Sequence, residues 1–383
     1  LSAISTRDAV NLLARLDDER FAPRPIHHAI ERWDREGVRV ERFHTPPDAV
    51  LAWIDAEFGG SWSSEAFAGG MWLAHDRSGP LGFATFDPRG LRFAWLRAWR
   101  DRPEAGIFGP FGVAPAARGR GLGALLLHAA LGSLRERGYR DALIPVVGGD
   151  RLIGYYEREA GARVAERVDL AALAGRRRAT ILASGDGSNF EAVVAGARAG
   201  ALPLEVGALV SNRPLAGALA RAHRLGVAAR VVVWDRATTE RAAYDALVQS
   251  AVAATEPELV LLLGWMHILP AAFVERFPGS LNLHPAFLPL DPARDTVTMP
   301  DGTTIPALRG ARAVDDAFAA GIHWGGATVH RLGVSVDRGE IFARVPLLRT
   351  EGETRESYAT RLHALERTVV AAAIRRWSFE RTA

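Results

Sequence analysis

The sequence predicts a two-domain α/β protein, and three observations point there. The chain has 383 residues, too many for one ordinary hydrophobic core and enough for two domains of roughly 150–200 residues each. From about residue 178 onward, apolar runs at 179–184, 206–211, 229–234 and 259–264 alternate with helical stretches, the pattern of βα units and a mostly parallel sheet. In the other half, an apolar strand leading to Val113 passes through a glycine-rich turn into an apolar-striped helix, so that half reads as α/β as well.

Composition narrows the chemistry. Hydrophobic residues make up 48% and charged residues 24%, as in globular proteins that stay in water. No apolar run reaches the ~18–20 residues that span a bilayer. The first residues lack the basic, apolar, small-residue order of a secretory signal, so a cytoplasmic location is expected. There are no cysteines, which excludes disulfides, zinc ribbons and thiol nucleophiles. All 47 basic residues are arginine, which excludes Schiff-base chemistry on a lysine. A net charge of +3 with scattered arginines gives no reason to expect nucleic acid and leaves small anionic ligands open. The sequence leaves a homo-oligomer open.

The division falls at Asp169 to Arg178, with a domain over 1–168, a linker over 169–177 and a second domain over 178–383. Residues 1–40 read as a helical extension. His27, His28 and Glu31 lie within it, but adjacent histidines point about 100° apart on a helix, which makes a poor chelate. A solvated face is the better reading, and no metal site is expected.

In the first domain the segment Ile107 to Leu127 carries the signal. Arg118-Gly119-Arg120-Gly121-Leu122-Gly123 opens a helix, and glycines there let backbone N–H groups approach a pyrophosphate at the positive end of the helix dipole. The stretch resembles the acetyl-CoA motif of the GNAT superfamily of N-acetyltransferases, with Arg118, Gly121 and Gly123 at the motif positions. Gly154 to Ala162 resembles a second GNAT segment. The resemblance covers roughly 40–168 and implies a GNAT-like α/β domain with a mixed sheet. It implies acetyl-CoA on Val113, Arg118, Gly119, Arg120, Gly121 and Gly123, and makes Tyr156 the candidate proton donor to the leaving thiolate. Tyr156 could instead simply pack against the domain, leaving a CoA-sensing or structural module.

In the second domain four features occur in order. Ala179 to Asn189 reads as a strand ending in a Gly/Ser/Asn loop before a helix, where Gly187 and Ser188 can bring amides to a phosphate and Ser188 or Asn189 can cap the helix. In Leu281 to Pro289, strand alternation puts Asn282 and His284 on one face, an amide beside an imidazole that suits a developing oxyanion. Asp337 lies where an apolar strand gives way to a turn, and is also a good Asp-x-Gly turn former. Arg361 to Glu366 lies on an amphipathic helix.

Together these resemble the glycinamide ribonucleotide formyltransferase family, over essentially 178–377. The resemblance implies a Rossmann-like domain that transfers formyl from 10-formyltetrahydrofolate to a phosphorylated small-molecule amine in purine synthesis. It implies Asn282, protonated His284 and Asp337 as catalytic, Met266, His267, Ile268 and Leu269 against the folate, Gly187, Ser188 and Asn189 on the substrate phosphate, and Glu366 on its ribose. One passage departs from the family pattern. Residues 290–309, with a hairpin turn at Pro300-Asp301-Gly302, stand where the family runs a short loop. An amino sugar or a specialised-metabolite amine therefore remains an alternative acceptor.

Overall fold

The computed structural model describes residues 9–88, 93, 96, 102 and 104–380. These fall into two compact units, one holding 62–173 with most of the preceding chain and the other holding 174–378.

The first unit is built on a seven-stranded sheet of β1 (Ala9–Arg15), β2 (Arg39–Phe43), β3 (Gly70–Asp76), β4 (Gly79–Phe86), β5 (Ala105–Val113), β6 (Asp141–Gly148) and β7 (Arg163–Val168). Their order is β2-β3-β4-β5-β6-β1-β7. Neighbours are antiparallel except β5 and β6, which run parallel, so the sheet is mixed as expected. The helical reading of residues 1–40 is corrected here. Residues 9–15 form a strand inserted between β6 and β7, and among the described residues of the segment only Pro23–Arg35 is an α-helix. A short apolar run such as AVNLLAR suits a strand or a buried helix equally until its neighbours are known. Residues 1–8 of that expected extension lie outside the described residues. His27 meets Glu31 on the exposed face of the helix, as the solvated reading expects. The segment read as a linker contains a short helix, Leu170–Ala174.

The second unit holds a seven-stranded sheet in the order β10-β9-β8-β11-β12-β15-β16. The strands are β8 (Arg177–Leu182), β9 (Leu204–Ser211), β10 (Ala228–Val231), β11 (Leu259–Leu262), β12 (Leu281–His284), β15 (Trp324–Arg331) and β16 (Ile341–Leu348). The first five are parallel, β15 runs antiparallel to β12, and β16 runs antiparallel to β15. Alternation along the strands divides the core into two layers. Ile181, Leu209, Leu261 and Leu283 pack on one side with the helices Ser188–Arg198 and Arg355–Phe379. Leu182, Val210, Val260 and Leu262 pack on the other with the helix Arg241–Ala253. Helices over both faces of a largely parallel sheet make the doubly wound, Rossmann-like architecture. Within 290–309, β13 (Thr296–Thr298) and β14 (Thr304–Pro306) pair antiparallel, and Val297, Met299 and Ile305 are buried. The insertion is a folded hairpin.

Candidate active site

The last parallel strand delivers the central pair. On β12, Leu281 and Leu283 enter the core while Asn282 and His284 face the other way. Asn282 lies opposite His330 and His284 opposite Thr328 on β15. Beyond β15 the chain turns at Asp337, which adopts the left-handed conformation with φ 52°. The turn closes so tightly that a methyl group at Gly339 would lie 1.7 Å from the Arg331 carbonyl oxygen. Asp337 therefore forms the turn and at the same time lies against His284.

The cluster is compact and buried. His284 Nδ1 is 3.4 Å from Asp337 Oδ2, and Asn282 Nδ2 donates to Asp337 Oδ1 at 3.4 Å. His330, 1% exposed, lies 3.3 Å from the same carboxylate oxygen and 3.2 Å from Asn282 Nδ2. Its Nδ1 faces the Arg331 carbonyl at 2.9 Å, and a carbonyl only accepts, so that nitrogen carries a proton. Burial favours a neutral Asp337 carboxyl. Hydrogen bonds from His330 and the Gly310 amide, with the nearby histidines, outweigh it and hold the carboxyl down to about 2. Burial lowers the pKa of His284, against the opposing pull of Asp337 and the Leu308 carbonyl. That direction runs against the protonated ring that the family resemblance implies.

Both ring nitrogens of His284 are engaged. Nε2 donates to the Leu308 carbonyl at 2.6 Å, and a carbonyl only accepts, so Nε2 holds the proton. Nδ1 faces the Asp337 carboxylate, which also only accepts, so a proton on that nitrogen is held in an ion pair. Two residues on, the Gly310 amide donates to Asp337 Oδ2 at 2.7 Å. Leu308, Arg309, Gly310 and His330 were not among the residues singled out from the sequence. The insertion's place beside β12 was the available signal for the first three. For His330 it was the strand alternation of Val329-His330, whose partner strand one sequence does not reveal.

The glycine-rich loop lies at the end of β8. Gly187 adopts φ 80° immediately before the helix Ser188–Arg198, and a Cβ there would lie 2.6 Å from Ala218. Asn189 Nδ2 donates to Glu366 Oε2 at 2.7 Å, which joins the loop to the long C-terminal helix. Burial raises the Glu366 pKa, partly offset by that bond. Asn189 Oδ1 is buried without a hydrogen bond. A cavity of about 410 Å³ runs from Pro285 and Glu366 past His363 to Arg312 and Arg355. Pro285, which lines it, directly follows β12.

After β11, the Met266 amide donates to Ser184 Oγ at 3.2 Å. Met266 and Ile268 are exposed, while Leu269 packs into the core. Of the four residues expected against the folate, Leu269 thus supports the loop from below. His267 Nδ1 sits 2.9 Å from the Tyr244 hydroxyl, within an aromatic group that includes Trp234 and Trp265.

In the first unit, Gly119 and Gly121 take φ values of 80° and 89° and lead into the helix Leu122–Glu136, whose first turn has no side-chain cap. Gly123 lies in that first turn, and Val113 closes β5. Arg118 Nε donates to the Val113 carbonyl at 2.9 Å. Arg120 bonds Glu36 and stacks over Trp33. The arginine side chains thus brace the loop, and its backbone amides are what a phosphate would meet. β5 and β6 pair only at 105–107 with 141–143. Tyr156 packs into the core of the unit. It is 6% exposed, packed edge-on against Phe108, and burial pushes its pKa up. Its neighbour Tyr155 stacks on Phe111, and a methyl group at Gly123 would lie 3.3 Å from the Tyr155 hydroxyl oxygen.

Comparison with known proteins is consistent with both units. Residues 177–374, a little over half of the chain, match the family described as formyl transferase. The chain belongs to the formyl transferase family. Residues 27–162 match the acetyltransferase (GNAT) family, so this formyltransferase carries a GNAT domain at its N-terminal side. It is 33% identical over 201 residues to the phosphoribosylglycinamide formyltransferase of Mycobacterium tuberculosis, which spans 51% of this chain and 83% of that protein. Over 187 residues it is 28% identical to the Bacillus subtilis protein of the same name, covering 49% and 87% respectively. Among solved structures, glycinamide ribonucleotide transformylase 1 from Symbiobacterium toebii is similar, with 32% identity, a TM-score of 0.45, and coverage of 52% of this chain and 86% of that one. No helix among the described residues is long and apolar enough to cross a membrane.

Proposed function

We propose that the second unit transfers a formyl group from 10-formyltetrahydrofolate to the primary amine of glycinamide ribonucleotide, as in purine biosynthesis. The observation that carries this reading is the meeting of Asn282, His284 and Asp337 at the end of β12. Beside it stands the Gly187 loop tied to Glu366 through Asn189. One set suits an oxyanion and a proton, and the other suits a phosphate and a ribose hydroxyl. The related proteins from M. tuberculosis and B. subtilis carry the corresponding name.

The chemistry balances as follows. The neutral amine attacks the formyl carbon, a C–N bond forms, and the carbonyl oxygen becomes an oxyanion. Asn282 and His284 stabilise that charge, each such donor being worth about 2.7–4 kcal/mol of barrier. For His284 to do so, its Nε2 proton is shared between the Leu308 carbonyl, which aims the ring, and the incoming formyl oxygen. Asp337, ionised at neutral pH, accepts the proton released by the ammonium and draws it toward the departing nitrogen. The bond to that carrier nitrogen breaks, the nitrogen regains a proton, and the formamide remains on the acceptor. Met266 and Ile268 offer the exposed apolar surface that a pterin ring needs. The test is incubation of the whole protein with 10-formyltetrahydrofolate and glycinamide ribonucleotide. No formylation while the folate demonstrably binds would sink the substrate assignment.

A second reading keeps the chemistry and changes the acceptor to an amino sugar or a specialised-metabolite amine. It is favoured by the folded hairpin at 290–309, whose foot touches His284 and Asp337. For the first unit we infer acetyl-CoA binding at the amides of Gly119 to Gly123. Tyr155, whose hydroxyl lies beside Gly123, is better placed than Tyr156 to meet a ligand at this loop. A CoA-sensing unit that binds without transferring is the alternative, and a screen of amines for acetylation separates the two.

A further inference from the structure

The 290–309 hairpin is wired to the catalytic turn through one side chain. Arg309 Nε donates to the Asp337 backbone carbonyl at 3.2 Å, its NH1 to Asp295 at 3.0 Å, and its NH2 to the Arg294 carbonyl at 2.7 Å. From the other side of the turn, Arg338 reaches back to the Pro292 carbonyl at 2.7 Å and also bonds Asp295. Asp295 therefore sits between two guanidiniums that would otherwise repel each other. Arg309 is the inner of the two, its side chain 13% exposed. The residues on either side of it are those that touch the reactive pair: the Leu308 carbonyl on His284 and the Gly310 amide on Asp337.

We propose that Arg309 is a positioning residue for formyl transfer, clamping the Asp337 turn to the foot of the hairpin so that Leu308 and Gly310 aim His284 and Asp337. The planar fork of a guanidinium serves three acceptors in fixed directions. Asp337 needs such a clamp because its left-handed backbone conformation is costly for a residue with a Cβ. The hairpin thus supplies part of the catalytic geometry. This proposal rests on the formyltransferase reading of the second unit.

The experiment uses the full chain with histidine labelled by nitrogen-15, in wild-type form and as Arg309→Ala, Arg309→Lys and Asp295→Asn. The His284 ring N–H signal is assigned by its loss in His284→Ala. Expected is a solvent-protected signal in the wild type that exchanges freely in Arg309→Ala. In formyl transfer, kcat is expected to fall roughly 100-fold, the scale of a misplacement near 1 Å, with KM changed less than about threefold. Arg309→Lys should not rescue it. Asp295→Asn, at an exposed position, should move both readouts the same way by a smaller factor. An unchanged ring signal in Arg309→Ala overturns the proposal, as does full activity in Arg309→Lys or a rise in KM alone. If Arg309→Ala does not fold, Arg309→Lys and Asp295→Asn decide. A wild-type chain that formylates no amine would overturn the functional reading instead, and the ring signal would then judge the clamp by itself.

Discussion

Asp337 shows how much one residue here depends on its neighbours. Its carboxylate accepts from Gly310 and contacts three further side chains. Asp337→Asn should leave folate and amine binding nearly intact and lower kcat by about 100-fold or more, the usual share of a proton-transfer group; steady-state kinetics beside equilibrium binding checks this. The same substitution reports on stability. The folded carboxyl is held at about 2 against an ordinary 3.8, so its contribution is present above the ordinary value and lost as pH falls from about 4 to 2. The gap in unfolding free energy between wild type and Asp337→Asn should shrink across that window by on the order of 2 kcal/mol, as read from denaturant unfolding at several pH values. At Gly187 the argument is steric. With φ 80° and Ala218 2.6 Å from any added Cβ, Gly187→Ala should cost about 1–3 kcal/mol and weaken the phosphorylated acceptor more than the folate. Thermal unfolding and the KM for each substrate separate those effects.

Among the elements, β12 was readable in advance and the hairpin only in outline. Alternation in Leu281-Asn282-Leu283-His284 fixes which side chains share a face, because a strand has a period of two. The Pro300-Asp301-Gly302 turn likewise announces a hairpin, and β13 and β14 pair around it. Where the hairpin folds back to was not readable, since the contacts of Leu308 and Arg309 span elements far apart along the chain. Residues 9–15 failed for a related reason: their strand exists only because β6 and β7 flank it. Met299, fully buried in the hairpin, gives a test at this scale. Met299→Ala should cost about 2–5 kcal/mol if the hairpin folds with the unit, and kcat should fall more than KM rises. Calorimetry and kinetics on the same preparation check both parts.

At the scale of the molecule, each unit has its own sheet and its own core. Ligands should therefore stabilise them selectively. Acetyl-CoA at 100 times its dissociation constant should add about 2.7 kcal/mol to the unit it binds, and a folate analogue should do the same for the other. Differential scanning calorimetry with each ligand alone and both together would show it. A chain whose melting neither acetyl-CoA nor CoA moves leaves the first unit without the proposed ligand.

The sequence by itself determined the two α/β units, the glycine loops at 119–123 and 185–187, and the pairing of Asn282 with His284. These rest on local rules, namely strand and helix periodicity and the backbone freedom of glycine beside a helix. Tertiary structure alone decided that Asp337 closes on that pair with His330 behind it, that Tyr156 is core while Tyr155 faces the loop, and that the Leu308 carbonyl occupies His284. Those outcomes depend on which strands become neighbours and how loops return across them. Such long-range contacts are set by burial and hydrogen bonding of the whole unit, and no short window of sequence contains them.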